Sequence, residues 1–451
     1  MFAWNIGWHQ HFSDFPGLDA MEFHLLEHYI HRFSRTYPAF PGPDNSFLSV
    51  FVPLAAKSSL VLHSLLALSG IQGLDQSNVE VKAKTLRIRQ RALVGCRQLV
   101  TRSASVSSHR PLDNMSEDDL LYLLASCMLL LLYEKLTGEG QANWQPHFQF
   151  IREVVACYQS RFMKPSSSRM TGTFCFLHSL FAYHDLLRAM QLRTKVFSTF
   201  YENSGGLLLN FCYQRGWSLI SVGERDSKFY YPRLMVRICA ADVTVTEADI
   251  YSWDGNMSWL PSFPLGRSID CHSRISGTAG DNSSDWLRRD ETRSLIHTGS
   301  KKVDNLSMLS DLYRITAFLL HKQIWDAQHL ESGNPRSLMA CDVQNQLLQR
   351  SELAAQGISL IQELLQGLSF KSTLLWPIGI IMRDLIPEQV AERECLIACL
   401  DSLSEYFHMK HFTCLRASLE LSWSQAAHGQ GRSDQSVGFN TSTTGDTMLL
   451  G

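Results

Sequence analysis

FHLLEHYIHRFSRTY, residues 23–37, sets the reading of the whole chain. Phe23, Leu26, Ile30 and Phe33 recur at i, i+3, i+7 and i+10, joined by Leu25 and Tyr29, which is the spacing of one face of a 3.6-residue period. His24, Glu27, His28, His31 and Arg35 gather on the opposite face. The pattern predicts an amphipathic surface helix, stopped by Pro38, Pro41 and Pro43, since proline offers no backbone N–H to continue one. The apolar stretch Phe47–Leu68 follows, with Pro53 near a helix start and Gly70 and Gly73 near its end. Together the two segments read as a helical hairpin.

The same period continues along the chain. From Val79 to Thr101, Val79, Ala83, Leu86, Leu93 and Val100 form a broad apolar stripe, with Lys84, Arg87 and Arg91 on another face. That cationic face reads as solvated, because acidic residues balance it overall. Ser116-Glu-Asp-Asp119 has the composition of a helix N-terminus, a serine cap followed by carboxylates at the positive end of the dipole. The apolar run Leu120–Tyr133 that follows is 14 residues long, short of the roughly 18 to 20 that cross a bilayer, and predicts a buried helix ended by Gly138 and Gly140. Further helical patterns cover Trp144–Phe162, Phe174–Leu192, Pro232–Trp253, Leu306–Leu330, Leu338–Leu368, Trp376–Leu385, Glu388–Phe407 and His411–Trp423. The β-branched run Val243-Thr-Val-Thr is short and sits inside a helix-compatible window. The expected fold is all-α, one large multi-helix domain of roughly a dozen helices.

Five segments are expected. Residues 1–20 form a lead, 21–264 and 306–423 the two parts of one helical domain, 265–305 a flexible insertion rich in Ser, Gly, Arg and Asp, and 424–451 a disordered tail.

Composition narrows the function. With 41 basic and 43 acidic residues the formal net charge is −2, which lacks the domain-wide cationic excess of a protein that binds nucleic acid by neutralising phosphates. The 11 cysteines form no C-x2-C pair and the N-terminus has no basic and apolar leader, so the thiols are expected to be free in a reducing compartment. Asn256-Met-Ser and Asn282-Ser-Ser then read as chance sequons. Neither a G-x-S-x-G elbow nor a phosphate-cradling glycine loop is present, and Gly205-Gly206 leads into Leu207-Leu-Leu. The tryptophans, Trp4 through Trp423, are dispersed and predict core anchors rather than a stacking platform for single strands. No membrane association is expected.

Two constellations have ligand-type spacing. His24-Leu-Leu-Glu-His28 is an H-x-x-E-H run, in which two histidines share a metal and Glu27 activates water in inverted zinc peptidases. A zinc peptidase needs a third ligand and a walled cleft as well, so the run reads instead as the outer face of the first helix. The second is Cys395-x3-Cys399 with His408, His411 and Cys414. Cys395 and Cys399 stand one turn apart on a face shared with Leu396 and Leu403, where small buried cysteines are ordinary core residues. No catalytic, cofactor, metal or DNA-binding residue is therefore assigned, and the chain is read as a non-enzyme.

Several segments together resemble the fungal-specific transcription factor domain. They are Leu25-Leu-Glu-His-Tyr29, Phe51-Val-Pro-Leu54, Leu62-His-Ser-Leu-Leu-Ala-Leu-Ser69, Asp119-Leu-Leu, Leu131-Leu-Tyr-Glu134, Trp144 with Pro146-His147, Phe181-x-Tyr183-x-Asp185-Leu-Leu187, Leu375-Trp-Pro-Ile-Gly379 and Glu392-Arg-Glu-Cys395. The resemblance implies a nuclear regulator of a metabolic or biosynthetic pathway or gene cluster. It also implies contacts with the transcription machinery or a partner regulator and a small-molecule effector. The family's binuclear zinc cluster uses two C-x2-C-x6-C halves to place a helix in the major groove, and here the first cysteine is Cys96. Zinc and DNA contact are therefore expected of a segment upstream of Met1, or of no part of this protein. The basic pairs Arg288-Arg289 and Lys301-Lys302 are weaker than an import patch, so nuclear placement rests on the resemblance. The alternatives are a helical small-molecule-sensing or partner-binding module and, remotely, a metallopeptidase through His24, Glu27 and His28. The last predicts stoichiometric zinc in purified protein that is lost in His28→Ala, and metal analysis showing none ends it.

Overall fold

A computed structural model gives the fold and describes residues 15, 17–38, 45–72, 79–104, 111–137, 141–162, 172–192, 194–197, 231–253, 255, 301–331, 340–367, 371–407 and 410–429. Among the described residues there is no strand. The first helix, α1 (Ala20–His28), starts at a capping box: Asp19 accepts from the Met21 and Glu22 amides and Glu22 reaches back to the Asp19 amide. It passes through one π-helical turn, Tyr29–Phe33, into α2 (Ser34–Thr36). The apolar stretch Phe47–Leu68, read as one helix starting near Pro53, holds three, α3 (Ser46–Ser49), α4 (Phe51–Lys57) and α5 (Ser59–Gln72). The break before α5 is Ser58, held in an extended conformation.

Long helices then follow as the periodicity predicts: α6 (Val79–Ser103), α7 (Glu117–Thr137), α8 (Gln141–Phe162) and α9 (Gly172–Leu192). Ser116 caps α7, its hydroxyl accepting from the Asp119 amide at 3.1 Å. Helices α5 and α7 are apolar on nearly every side and lie at the centre; α5 packs against α1, α4, α6 and α7, and α7 against α8 and α9 as well. By length and composition α7 is long and apolar enough to cross a membrane, but from Leu120 to Leu136 every residue except Tyr122 is buried by its neighbours.

The predicted helix Pro232–Trp253 is corrected to two, α10 (Tyr231–Cys239) and α11 (Glu247–Tyr251). Between them Ala241 has φ 56°, a left-handed conformation that ends a helix. Arg237, Asp242 and Thr244 bond one another there, and Thr246 caps α11 with Asp249. The Val243–Thr246 run thus lies in a turn. The remaining helices are α12 (Lys301–Glu331), α13 (Ala340–Gln366), α14 (Leu375–Ile381), α15 (Val390–Phe407) and α16 (Lys410–Gly429). Lys301 and Lys302 open α12, so the last residues of the segment read as an insertion are helical, and α16 runs on through 424–429 of the segment read as a tail. Residues 265–300, with Arg288-Arg289, and 430–451 lie outside the described residues.

A single apolar core runs from Phe15 to Trp423. In its first half Phe176 on α9 meets Phe47 and Phe51 edge-on, with ring centroids 5.8 and 5.7 Å apart. In the second, Tyr231, Trp253, Tyr313 and Trp376 cluster around α12. Arg350 on α13 clamps Asp326 on α12 and Asp384 beyond α14, and Gln323 donates to Asp384 at 2.8 Å. The two halves meet where α9 contacts α10 and α14, and where α16 packs on α7.

Two faces differ from the sequence reading. On α1 Phe23 is exposed and His28 is buried. The first turn meets α6 through Glu22, which accepts from Arg91 at 2.8 Å and pairs with Lys84 at 3.5 Å, and Phe23, about 100° further round, is turned outward. On α6 the buried stripe is Val81, Thr85, Ile88 and Ala92, while Val79 and Leu86 face solvent. The register is set by the close approach of α6 to α5 at Gly70, where a Cβ would lie 2.6 Å from Thr85 Cγ2 and nearer still to its Oγ1. Gly70→Ala is expected to destabilise the protein by about 1–3 kcal/mol, and Thr85→Ala in the same chain to restore most of that. Urea unfolding of the two single variants and the double variant measures the coupling.

Candidate functional site

Where the apolar run of α7 ends, two charged residues are buried side by side, Glu134 and Lys135. Their partners differ. Glu134 accepts from Arg89 Nε on α6 at 2.7 Å, and the same guanidinium lies 5.3 Å from the centroid of the Tyr133 ring. Lys135, 3% exposed, reaches no carboxylate among the described residues. Its Nζ lies 3.4 Å from Nδ1 of His184 on α9 and 5.6 Å from the centroid of the Trp144 ring on α8. Burial and then the Arg188 guanidinium push the Lys135 ammonium down to about 7, against the pull of Asp185.

The surroundings supply hydrogen-bond donors and few acceptors. Burial and Lys135 hold His184 well below its ordinary range, so the ring is neutral. With Nδ1 accepting a hydrogen bond from Lys135, the ring proton sits on Nε2, and Nε2 has no partner among the described residues. Trp144 Nε1, an obligate donor, is also buried without one. The carboxylate that pulls on Lys135, Asp185, is already committed. Asp185 accepts from Arg188 Nε and Nη2 at 3.1 and 2.9 Å and from the Phe197 amide at 2.6 Å. Arg188 also bonds Thr194 Oγ1 and the Lys195 carbonyl and stacks 4.1 Å from the Phe197 ring centroid, which fixes the chain after α9 across α8. Two buried N–H donors, His184 Nε2 and Trp144 Nε1, thus stand near Lys135 without an acceptor among the described residues, an arrangement suited to a group with oxygen lone pairs, such as a carboxylate or carbonyl. A second histidine on α8, His147, is pushed down to about 4 by burial and the nearby Arg89.

The motifs singled out by spacing lie elsewhere. His24 and Glu27 are about half exposed and 3.9 Å apart. His28 is buried against α5 at Ser69, whose hydroxyl donates to the Leu25 carbonyl at 2.7 Å; Nδ1 of His28, 3.0 Å away, is therefore the donor to Ser69. His28 is thus used in packing, and the structure does not present it with His24 to one solvent-facing site. Cys395 and Cys399 sit on α15 beside Leu396 and Leu403, and Cys414 on α16. His408 and the His411 side chain lie outside the described residues. Among the described residues no three His, Cys, Asp or Glu side chains are grouped to hold a metal ion.

Every residue of the Lys135 cluster falls within one stretch of family likeness. Residues 24–210 match the family model of the fungal specific transcription factor domain. The matched segment spans α1 to α9 and holds both central helices, α5 and α7. Neither the comparison with curated proteins nor that with solved structures gave a match. Inside the matched segment Glu134, Trp144, His147 and Asp185 stand in stretches that carry the sequence resemblance, whereas Lys135, His184 and Arg188 stand beside them. The signal available beforehand was a charged pair closing a run of buried leucines, because an amine on a helix with no polar face has to be accommodated inside.

Lys135 makes stability depend on pH. An amine that is half protonated near pH 7 when folded and near pH 10 when unfolded binds fewer protons folded, so its contribution is lost as pH falls from 10 to 7. The stability of the native protein relative to Lys135→Met is expected to rise with pH by roughly 1 kcal/mol per unit between pH 8 and 10. Denaturant unfolding of both across that range tests this, and a constant difference refutes the assignment.

Proposed function

We propose that this chain is the regulatory part of a fungal transcriptional regulator, acting in the nucleus on a metabolic or biosynthetic pathway or gene cluster, with no catalytic step. The observation that carries the reading is the match over residues 24–210, which supports a role in transcription regulation. Residues 21–264 and 306–423 act in this reading as one helical unit, and its partners are the transcription machinery or another regulator. The donor cluster at Lys135, His184 and Trp144 favours the sensing of a small effector that carries an acceptor oxygen, held by groups that otherwise stay unpaired.

Fusing the full chain to an unrelated DNA-binding domain, with a reporter behind that domain's site in fungal cells, tests the reading. Reporter output is expected to change at least threefold against the DNA-binding domain alone, and a fluorescent fusion is expected in the nucleus. Lys135→Met, folded by circular dichroism, is expected to hold the output at one level across growth conditions that shift it in the native fusion. Output equal to the bare domain in every condition overturns the proposal.

A further inference from the structure

Helix α6 has a second face that neither the core nor the Lys135 cluster uses. Lys84 and Arg91 pair with Asp19 and Glu22, and Arg89 with Glu134. Arg87, Arg97 and Arg102 are exposed and make no ion pair among the described residues. Arg87, Arg91, Val94, Gln98 and Arg102 succeed one another at steps of three or four residues along the exposed side of α6, which places them in one row. Beside that row a groove of about 340 Å³ runs between α5 and α6. Its apolar floor is Leu60 and Val94, and its rim is His63, Gln90, Arg91 and Gln98. Gly95 lets the helices approach there; a Cβ on it would lie 3.1 Å from Leu60 Cδ1.

We propose that this groove and its cationic row dock an acidic amphipathic helix of a partner protein. The row from Arg87 to Arg102 is about 22 Å long, the span of four helical turns and longer than a small ligand. Its charge calls for carboxylates, and its apolar floor accepts one or two aliphatic side chains from the same helix, the anchors of helix-in-groove recognition. A nucleic-acid backbone would leave that floor unused.

The proposal stands apart from the transcriptional reading, because its test measures binding in solution. The probe is a fluorescein-labelled 16-residue peptide with leucines at i, i+3, i+4 and i+7 and Asp or Glu elsewhere. Its anisotropy is titrated with the full chain at low and at physiological salt. Saturable binding is expected that weakens with salt, falls about tenfold in Arg87→Glu/Val94→Asp, and stays within twofold in Lys82→Glu, which removes an exposed cation from another face of α6. Circular dichroism confirms that each variant keeps the helical fold. The proposal is overturned if the native chain does not bind the acidic peptide, if the double variant binds it as well as the native chain, or if a peptide with Lys in place of Asp and Glu binds equally. A labelled 16-bp duplex that binds more tightly than the peptide, and loses binding in the same double variant, assigns the row to nucleic acid and overturns it too.

Discussion

Helix α7 presents side chains to the interior in every direction from Leu120 to Leu136, with Tyr122 alone partly exposed, and a helix without a polar face is stable in water only when surrounded. The covering helices follow from that requirement. Helix α5, almost as apolar, takes one side, and the others are taken by α6, α8, α9 and, from the far end of the chain, α16. Because α6 covers α5 and α7 from outside, it needs only a narrow apolar stripe, Val81, Thr85, Ile88 and Ala92. Its small and β-branched residues let the backbones approach, which is why Gly70 opposite Thr85 has no room for a methyl group. Close packing at that point fixes the rotation of α6, and so decides which of its cations point inward.

The end of α7 shows how differently a buried acid and a buried base are accommodated. Glu134 and Lys135 follow the same leucine run and are buried to nearly the same extent. Glu134 is paired with the Arg89 guanidinium, a planar donor that loses little on leaving water. Lys135 has a neutral imidazole as its polar neighbour and the Arg188 cation near by. Asp185, the anion that acts on Lys135, is held by Arg188 and the Phe197 amide. Burying an ammonium under those conditions costs more than releasing its proton. The cluster therefore has a titration near neutrality and spare donors at one place, features that stability alone does not require and that an apolar residue of similar size would remove.

Much of this fold was legible in the sequence because helices announce themselves locally. The period of Phe23–Tyr37, the Ser116 cap, the leucine run of α7 and the long patterns of α8, α9, α12 and α13 each predict an element the structure contains. The misreadings share one cause, which is that periodicity locates a face without saying what lies against it. Phe23 looked like the start of the apolar stripe, but Glu22 meets α6 through Arg91 and Lys84 and turns Phe23 outward. His28 looked solvent-facing until Ser69, on α5, supplied a hydroxyl to receive its proton. The break at Ala241 depends on bonds among Arg237, Asp242 and Thr244, which no apolar pattern encodes. The Lys135 cluster was the least visible of all. Its members come from α7, α8 and α9, and Lys135 meets a histidine 49 positions away, so only packing reveals the pair. H-x-x-E-H was conspicuous as a string, and its residues turned out to divide between solvent and core.

The cations of α6 show why composition is a poor guide to what a helix recognises. Read as a string, VEVKAKTLRIRQRALVGCRQLVTRS is strongly basic, and a basic helix invites comparison with a phosphate-binding face. The structure divides the charge. Lys84, Arg89 and Arg91 meet Asp19, Glu134 and Glu22 and tie α6 to the start of α1 and the end of α7, whereas Arg87, Arg97 and Arg102 face outward. What remains on the surface is a spaced row beside an apolar floor, not a dense patch. Spaced charge reads a partner whose own charges recur at helical intervals, and a polyanion with a charge every few ångströms gains nothing from the spacing. Arg91 belongs to both sets, paired with Glu22 and standing on the rim of the groove, so a contact that holds α6 in register also borders the surface it offers to others.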